Sequence, residues 1–347
     1  MQFYQKNLTL EDQCPQRSMA YWVNTVEQDA IAQSIIQSKP FARLKKVSFL
    51  GAIDHLNFAQ RMSKSQRSRA IHSLQVAGLA SFVAQQRGYS ADLKRHLIVA
   101  GLLHDIGHPP LSHSVEPYLK KSFGYGHHEM GEAVLTGQQN QSKKLHQLLA
   151  ASVDINFIKK LISGNAIDED GGDLFSSPIN IDTIEGITRS FCYVKKSSTN
   201  LNPVDVAYAS FVDKEPHRLN ILDDFWDLKN YVYNNIVNRD LGVIADYYSQ
   251  HFFDNEQGEL SEAELFDTEP EWGRKYSKLF STLARIARKA DLPRDLVDVK
   301  IKFTSRKYFV DSHKMNIERY QCSKFKSFTR LDSDALNYIN QKSFLFS

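Results

Sequence analysis

Cysteine is scarce: there are three in 347 residues, Cys14, Cys192 and Cys322. They lie far apart and form no Cys-x-x-Cys pair, which argues against a disulfide framework and against a thiolate-ligated zinc site. Long apolar runs are missing too. No uninterrupted stretch approaches the roughly 20 residues of a membrane span. The opening residues, MQFYQKNLTLEDQCP, carry acids and no apolar stretch, so they do not read as a secretory leader. An excess of one charge is absent as well. Lys and Arg number 43 against 40 Asp and Glu, and a net charge of +3 is too small to argue by itself for a nucleic-acid partner. There is no internal repeat and no low-complexity segment. The expectation is a cytoplasmic protein without a membrane partner.

What is present is ordinary for a globular chain: 42% hydrophobic and 24% charged residues. The length suffices for one large core plus an appended subdomain. From about Ser65 to Arg87, Ile71, Leu74, Leu79 and Val83 recur at helical spacing, and Gly88 supplies a stop. Ser90 reads as the N-cap of a helix running to His104. The end of that helix is apolar on most faces, so it should be central and buried. Gly107 and Pro109-Pro110 break it. Residues 114–121 suggest a short helix with Pro117 in its first turn. Further helical patterns fall near 129–136, 143–151, 154–163, 181–194, 219–238 and 258–290. The acidic, glycine-rich run Gly164 to Ser177 should be an exposed loop. Period-two alternation over 297–303, followed by 307–310, predicts a hairpin. The fold class is mainly α, with a small α+β C-terminal region. The expected division is an N-terminal extension over 1–40, a helical core over 41–250 and a C-terminal subdomain over 251–347.

The chemistry concentrates in His104-Asp105-Ile106-Gly107-His108-Pro109-Pro110-Leu111-Ser112-His113-Ser114-Val115-Glu116. Adjacent His104 and Asp105 at a helix end can offer one imidazole nitrogen and one carboxylate oxygen to the same cation. Two ligands do not complete a site. Arg69-Ala70-Ile71-His72 lies upstream on another helix, and Asn180-Ile181-Asp182 lies downstream. His113 and Glu116 are three apart, so on a helix they share a face. A carboxylate beside an imidazole fixes its tautomer and suits it to acid or base work near neutral pH.

The set His72, His104, Asp105 and Asp182 resembles the ligand pattern of the HD phosphohydrolase superfamily. The longer segment HDIGHPPLSHSVE is similar to its dNTP triphosphohydrolase branch, which includes the bacterial dGTPases. The resemblance covers roughly residues 40–240. It implies a helical fold in which the four ligands converge on a cation, with water polarised by that cation attacking phosphorus. Two imidazoles and two carboxylates suit one divalent transition metal per chain: zinc, manganese, iron(II), cobalt or nickel, with magnesium less natural though used by some relatives. The resemblance also implies catalytic roles for His108, Glu116 and His128. His127, beside His128, is the weaker match. It implies phosphate contacts for Arg69 and His113, and carries Arg189 over as a substrate-side residue. The implied partner is a nucleotide or other phosphoester. Self-association is expected on the same ground.

The resemblance fails at the sugar-reading positions. Where the family has Tyr and Asp after the last ligand, this chain has Gly186 and Ser190. Its Gln aligns with Phe49, and a late Tyr aligns with Val237, in a helix carrying Lys229, Tyr231 and Tyr233. Lost polar partners imply a changed substrate pocket. Two other readings stay open. One is a two-metal phosphodiesterase or oxygenase, with His128 and His146 as the extra ligands. The other is a regulatory module that binds a nucleotide or nucleic acid, since Lys300, Lys302, Arg306 and Lys307 surround Phe303, Tyr308 and Phe309. Against that, lysines commonly keep an edge hairpin soluble.

Overall fold

The computed structural model describes residues 15–56, 63, 65–194, 201–213, 218–255, 260–288 and 299–330. Cys14 and the first two residues of the expected hairpin, Val297 and Asp298, lie outside them. Three short helices come first: α1 (Met19–Glu27), α2 (Ala30–Gln37) and α3 (Lys39–Leu44). They lead to α4 (Arg69–Gln86), which is buried on nearly every face from Ala70 to Ala84. A helix apolar all round belongs at the centre of a core. Gly88 ends it with φ +63°, and Ser90 Oγ accepts from Leu93 N at 3.1 Å to start α5 (Ala91–Leu103).

Helices α4 and α5 form the most extensive helix pair. Glycine makes their close approach feasible. A Cβ on Gly101 would lie 2.9 Å from Ala77 Cα, nearer than such atoms ever come. That contact brings His72, on α4, opposite His104, at the end of α5. The chain continues through α6 (Glu116–Ser122), α7 (His127–Leu135), α8 (Lys143–Ser152), α9 (Ile155–Ile162) and α10 (Asp173–Ser176). Then come α11 (Ile181–Val194), α12 (Pro203–Phe211), α13 (Leu219–Val232), α14 (Asp240–Asn255), α15 (Glu269–Lys275) and α16 (Ser277–Arg288). Past α13 the helix widens to a π turn over Tyr233–Val237. Among the described residues, no helix is long and apolar enough to cross a membrane.

Two expectations need correction. The run from Gly164 to Ser177 is not exposed throughout. Leu174 is fully buried, and Asp173 on α10 pairs with Arg87 at 2.6 Å. The glycines fold the segment back: a Cβ on Gly172 would collide with the Ala166 carbonyl. The hairpin is also longer than expected. Strand β1 (Lys300–Val310) runs straight through Thr304-Ser305-Arg306 and pairs antiparallel with β2 (Tyr320–Arg330), from Lys300↔Arg330 to Val310↔Tyr320. The turn lies at 311–319, where Asp311 accepts from His313 N and Asn316 from Glu318 N. Side-chain turns of this kind compete with strand pairing, and residues 304–306 have none.

The sheet is not an isolated appendage. Tyr308 and Tyr320 pack on Trp226 of α13, and Trp226 Nε1 donates to Gln321 O at 3.1 Å. One apolar cluster gathers around α1, α4, α5 and α11 to α13. A second joins α14 to α16 with Leu111, Val115 and Leu119. Ile106 belongs to the first and Leu111 to the second. The segment 104–116 therefore passes between the two cores.

Candidate metal centre and catalytic cavity

His72, His104 and Asp182 each offer one ligand atom, and all three atoms lie within 4.8 Å of one another. His72 Nε2 is 3.0 Å from Asp182 Oδ1 and 3.2 Å from His104 Nε2. Asp105 closes the group, with Oδ2 3.6 Å from His72 Nε2 and Oδ1 3.5 Å from His104 Nε2. The second nitrogen of His104 is occupied, since Nδ1 bonds the Gly101 carbonyl at 2.8 Å and so carries the proton. Asp182 has 54% of its side chain exposed, and it faces the cavity. Two imidazole nitrogens 3.2 Å apart need a proton or a cation between them. Two nitrogens and two carboxylates are a fitting donor set for a divalent first-row metal.

Behind the quartet lie residues that sequence reading passed over. Glu185, one turn after Asp182, hydrogen-bonds His72 Nδ1. A carboxylate in that position fixes the ring and raises its basicity. Burial opposes a charge on His72, yet Glu185, Asp182 and Asp105 together raise its pKa to about 9. The same field would stabilise a bound cation in place of the proton. Arg189, expected on the substrate side, instead pairs with Glu185 at 2.7 Å and donates to Gln75 Oε1 and the Gln66 carbonyl. It is buried, and it orients the group that orients His72.

Arg69 is similarly engaged. It is buried and gives Nη1 to Asp105 Oδ2 at 2.6 Å, Nε to Ser112 Oγ at 2.7 Å and Nη2 to Phe49 O at 2.9 Å. Three of the five N–H donors of a guanidinium are thus held by protein. Its charge, first among the attractive influences on Asp105, overcomes burial and holds that carboxyl well below the usual range. Arg43 performs a comparable service for the turn after the helix, donating to the carbonyls of Ile106 and His108, both at 2.7 Å.

The loop 111–116 is shaped from a distance. Leu111 and Ser112 have φ of 60° and 49°, conformations that cost a non-glycine residue of order 1–3 kcal/mol each. Glu269, from α15, accepts from Leu111 N at 3.2 Å and Ser48 N at 2.8 Å. Ser112 Oγ donates to Ser48 O at 2.8 Å. So clamped, the loop turns His113 towards His108, their Nε2 atoms 3.3 Å apart.

The expected pairing of His113 with Glu116 is present, and His127 joins it. Glu116 bonds His113 Nδ1 at 3.0 Å and His127 Nδ1 at 2.9 Å. His127 stacks on His108 with centroids 4.0 Å apart. His128 is exposed, lines the cavity and packs on His127 with centroids 4.0 Å apart. Gly107 sets this phase. A Cβ there would meet His127 O at 2.1 Å and Gly131 N at 2.2 Å, so α7 sits directly on the turn. Burial and the neighbouring Arg69 hold His108 neutral, with its pKa well below the ordinary value. His146 bonds the Leu135 carbonyl at 2.9 Å and does not line the cavity. The structure therefore takes it out of the two-metal alternative.

The metal quartet and the histidine cluster share one cavity of about 640 Å³. That volume suits a small-molecule ligand. Phe49, Leu50, Ile53, Ile187, Val232 and Val237 give it an apolar wall. Phe49 stacks 4.6 Å from His72, and a side chain on Gly186 would begin 3.3 Å from its ring. Phe49 and Gly186 are thus one steric change. Ser190 spends its hydroxyl on the Gly186 carbonyl at 2.6 Å. Lys229 and Arg306 line the same cavity. Lys229 Nζ lies over the rings of Trp226 and Tyr308 at 4.4 and 4.7 Å, and burial lowers its pKa to about 8. Arg306 is delivered by β1, where sequence suggested only a soluble hairpin or a single-strand binder.

Asp246 on α14 also lines the cavity, accepting from Ser114 Oγ at 2.6 Å. Burial raises its pKa to about 6. The folded state then binds this proton more tightly than the unfolded chain. The resulting stability is complete below the ordinary value of 3.8 and is lost as pH rises through about 6. Asp246→Asn should flatten that part of the profile of melting temperature against pH. An unchanged slope between pH 4 and 6.5 would show that Asp246 titrates normally.

Residues 69–183 match the family model of the HD domain. A protein of Mesorhizobium japonicum named deoxyguanosinetriphosphate triphosphohydrolase-like protein 2 is 38% identical over 96 residues, 25% of this chain and 20% of its own length. A deoxyguanosinetriphosphate triphosphohydrolase-like protein of Rhodopseudomonas palustris is 30% identical over 118 residues, 33% of this chain and 27% of its own. An uncharacterized protein of Methanocaldococcus jannaschii is 30% identical over 40% of this chain and 28% of its own. The matches thus span less than a third of these relatives. The crystal structure of a hypothetical protein from Aquifex aeolicus superposes with a TM-score of 0.65, over 90% of this chain and 95% of that one, at 17% identity. That likeness concerns the fold.

Proposed function

We propose that this chain, which carries an HD domain over residues 69–183, is a metal-dependent phosphohydrolase that acts on a nucleotide. The observation that carries the reading is the meeting of His72, His104, Asp105 and Asp182 in a cavity that Lys229 and Arg306 also line. The quartet would hold one divalent cation. Such a cation supplies charge for a phosphoryl oxygen and makes a nearby water more acidic.

The remaining steps belong to the protein. His108, neutral and facing the cavity, can accept a proton from the attacking water. Glu116 keeps His113 and His127 in fixed tautomers, and His113, whose Nε2 lies 3.3 Å from that of His108, can take over the proton that His108 accepted and return it to the leaving oxygen. Arg69 holds Asp105 in place, and its free N–H groups are the ones left for a phosphate. Lys229 and Arg306 would neutralise the outer phosphates. The apolar wall with Phe49 would seat the base or sugar by contact area instead of hydrogen bonds.

The test is a phosphate-release screen on metal-quantified protein. Its substrates are dNTPs, NTPs, monophosphates and cyclic or linear dinucleotides with manganese, and His104→Ala serves as the control. Turnover of nucleotides that is lost in the control supports the reading. Turnover of non-nucleotide phosphoesters alone would overturn the substrate class, and none at all the reading itself. On an accepted substrate, Lys229→Met should raise KM about 10- to 100-fold, the loss of one charge-assisted hydrogen bond. An unchanged KM would remove Lys229 from the phosphate site.

A further inference from the structure

We propose that His108, His113 and His127 form a second cation site, separated from the His72–His104–Asp182 group by Asp105. One ring nitrogen from each of the three lies within 4.8 Å of the others. Proximity alone would be weak, because histidines also stack on one another. The hydrogen bonds behind the rings add to it.

Glu116 accepts from Nδ1 of both His113 and His127, at 3.0 and 2.9 Å. Hydrogen bonds hold that carboxyl well below its ordinary range against the pull of burial, so it is ionised and can only accept. Both Nδ1 atoms therefore carry hydrogen, and both Nε2 atoms present lone pairs. Imidazoles prepared this way, with a carboxylate behind the far nitrogen, are the usual state of histidine ligands to a metal. His108 differs: its Nδ1 is buried 3.3 Å from Asp105 Oδ1 and makes no hydrogen bond. Its Nε2 lies 3.3 Å from His113 Nε2, a spacing that one shared proton or one cation accounts for.

Three imidazoles with an open fourth position suit zinc best, and cobalt(II) closely. The open position is available, since His113 has 63% of its side chain exposed and all three residues line the cavity. Glu116 and Asp105 offset the added charge, and Asp246 stands near His113. Lys120, 3.1 Å from Glu116, opposes it from the solvent side. A cation here would face the same phosphate as one in the quartet, which is the arrangement of two-metal phosphoester hydrolysis. In that role the proposal rests on the phosphohydrolase reading, and the cluster would trade its proton relay for ligation. The count of cations does not depend on that reading.

Chelator-stripped full-length protein would be titrated with zinc by calorimetry and with cobalt(II) by visible absorption. Two equivalents per chain are expected. His113→Ala/His127→Ala should bind one, without the intense bands of a tetrahedral site. His72→Ala/His104→Ala should bind one and retain them. Glu116→Gln keeps the volume and guards against misfolding in the double variants. It should weaken the second equivalent about 10- to 100-fold and leave the first unchanged. A single equivalent in the parent protein would overturn the site and leave a shared proton between His108 and His113. So would two equivalents unaffected by Glu116→Gln or His113→Ala/His127→Ala. Absence of turnover at either loading would count against the phosphohydrolase reading alone.

Discussion

Asp105→Ala is expected to abolish turnover, by at least about 1000-fold, and to destabilise the fold as well. The first effect follows from position. Asp105 lies within 3.6 Å of nitrogens on His72, His104 and His108, so its loss removes a proposed ligand and uncouples the two histidine groups. The second follows from Arg69, buried and held by Asp105 Oδ2 at 2.6 Å. Removing one partner of a buried ion pair leaves an uncompensated charge, at about 3–5 kcal/mol. Asp105→Asn separates the two effects. It fills the same space and offers Arg69 a carbonyl, so it should regain part of the stability while staying inactive. Metal content, melting temperature and turnover, measured together on both variants, check this. An alanine variant that keeps its metal and its melting temperature would refute the placement of Asp105.

Gly107→Ala is expected to be nearly as damaging, although the added group is a single methyl. Its Cβ would stand 2.1 Å from the His127 carbonyl oxygen and 2.2 Å from Gly131 N. Both are backbone atoms, so no side chain can swing aside. Helix α7 must lift off the turn by about an ångström. Overpacking of this kind costs about 1–3 kcal/mol. The displacement also carries His127 away from Glu116 and His108, and misplacement on that scale can cost about 100-fold in rate. Gly273→Ala is the matched control, since a Cβ there meets nothing within 4 Å. It should keep full activity. Equal activity in the two variants would mean that the seat of α7 on Gly107 does not govern the site.

The helical core was readable because its signals are local. The periodicity of α4, the stop at Gly88, the cap at Ser90 and the break after His104 are each contained within a few residues. Resemblance supplied the four candidate ligands, and their side chains lie together in the structure. The fold-back of 171–174 was not readable. It depends on contacts with Arg87 and Ala166 that no acidic, glycine-rich composition reveals. The path of β1 was misread because alternation marks a strand but does not say where the turn falls.

Sequence by itself determined a mainly helical chain with a His-Asp pair at the end of a central helix and a cluster of proton-transfer groups just beyond. Those are properties of residue type and period. Tertiary structure decided which of those groups meet. His127 and His128 are adjacent in the chain but about 100° apart around the helix, so either can face Glu116 until packing sets the phase. The contact of Gly107 with α7 sets it for His127. The resemblance made Arg69 a phosphate contact and Arg189 a substrate-side residue. Burial commits Arg189 to Glu185 and three of the five Arg69 donors to Asp105, Ser112 and Phe49, because a guanidinium out of water needs carboxylate or carbonyl partners close at hand. Arg306, more than a hundred residues from the last ligand, reaches the cavity only because β1 packs against α13.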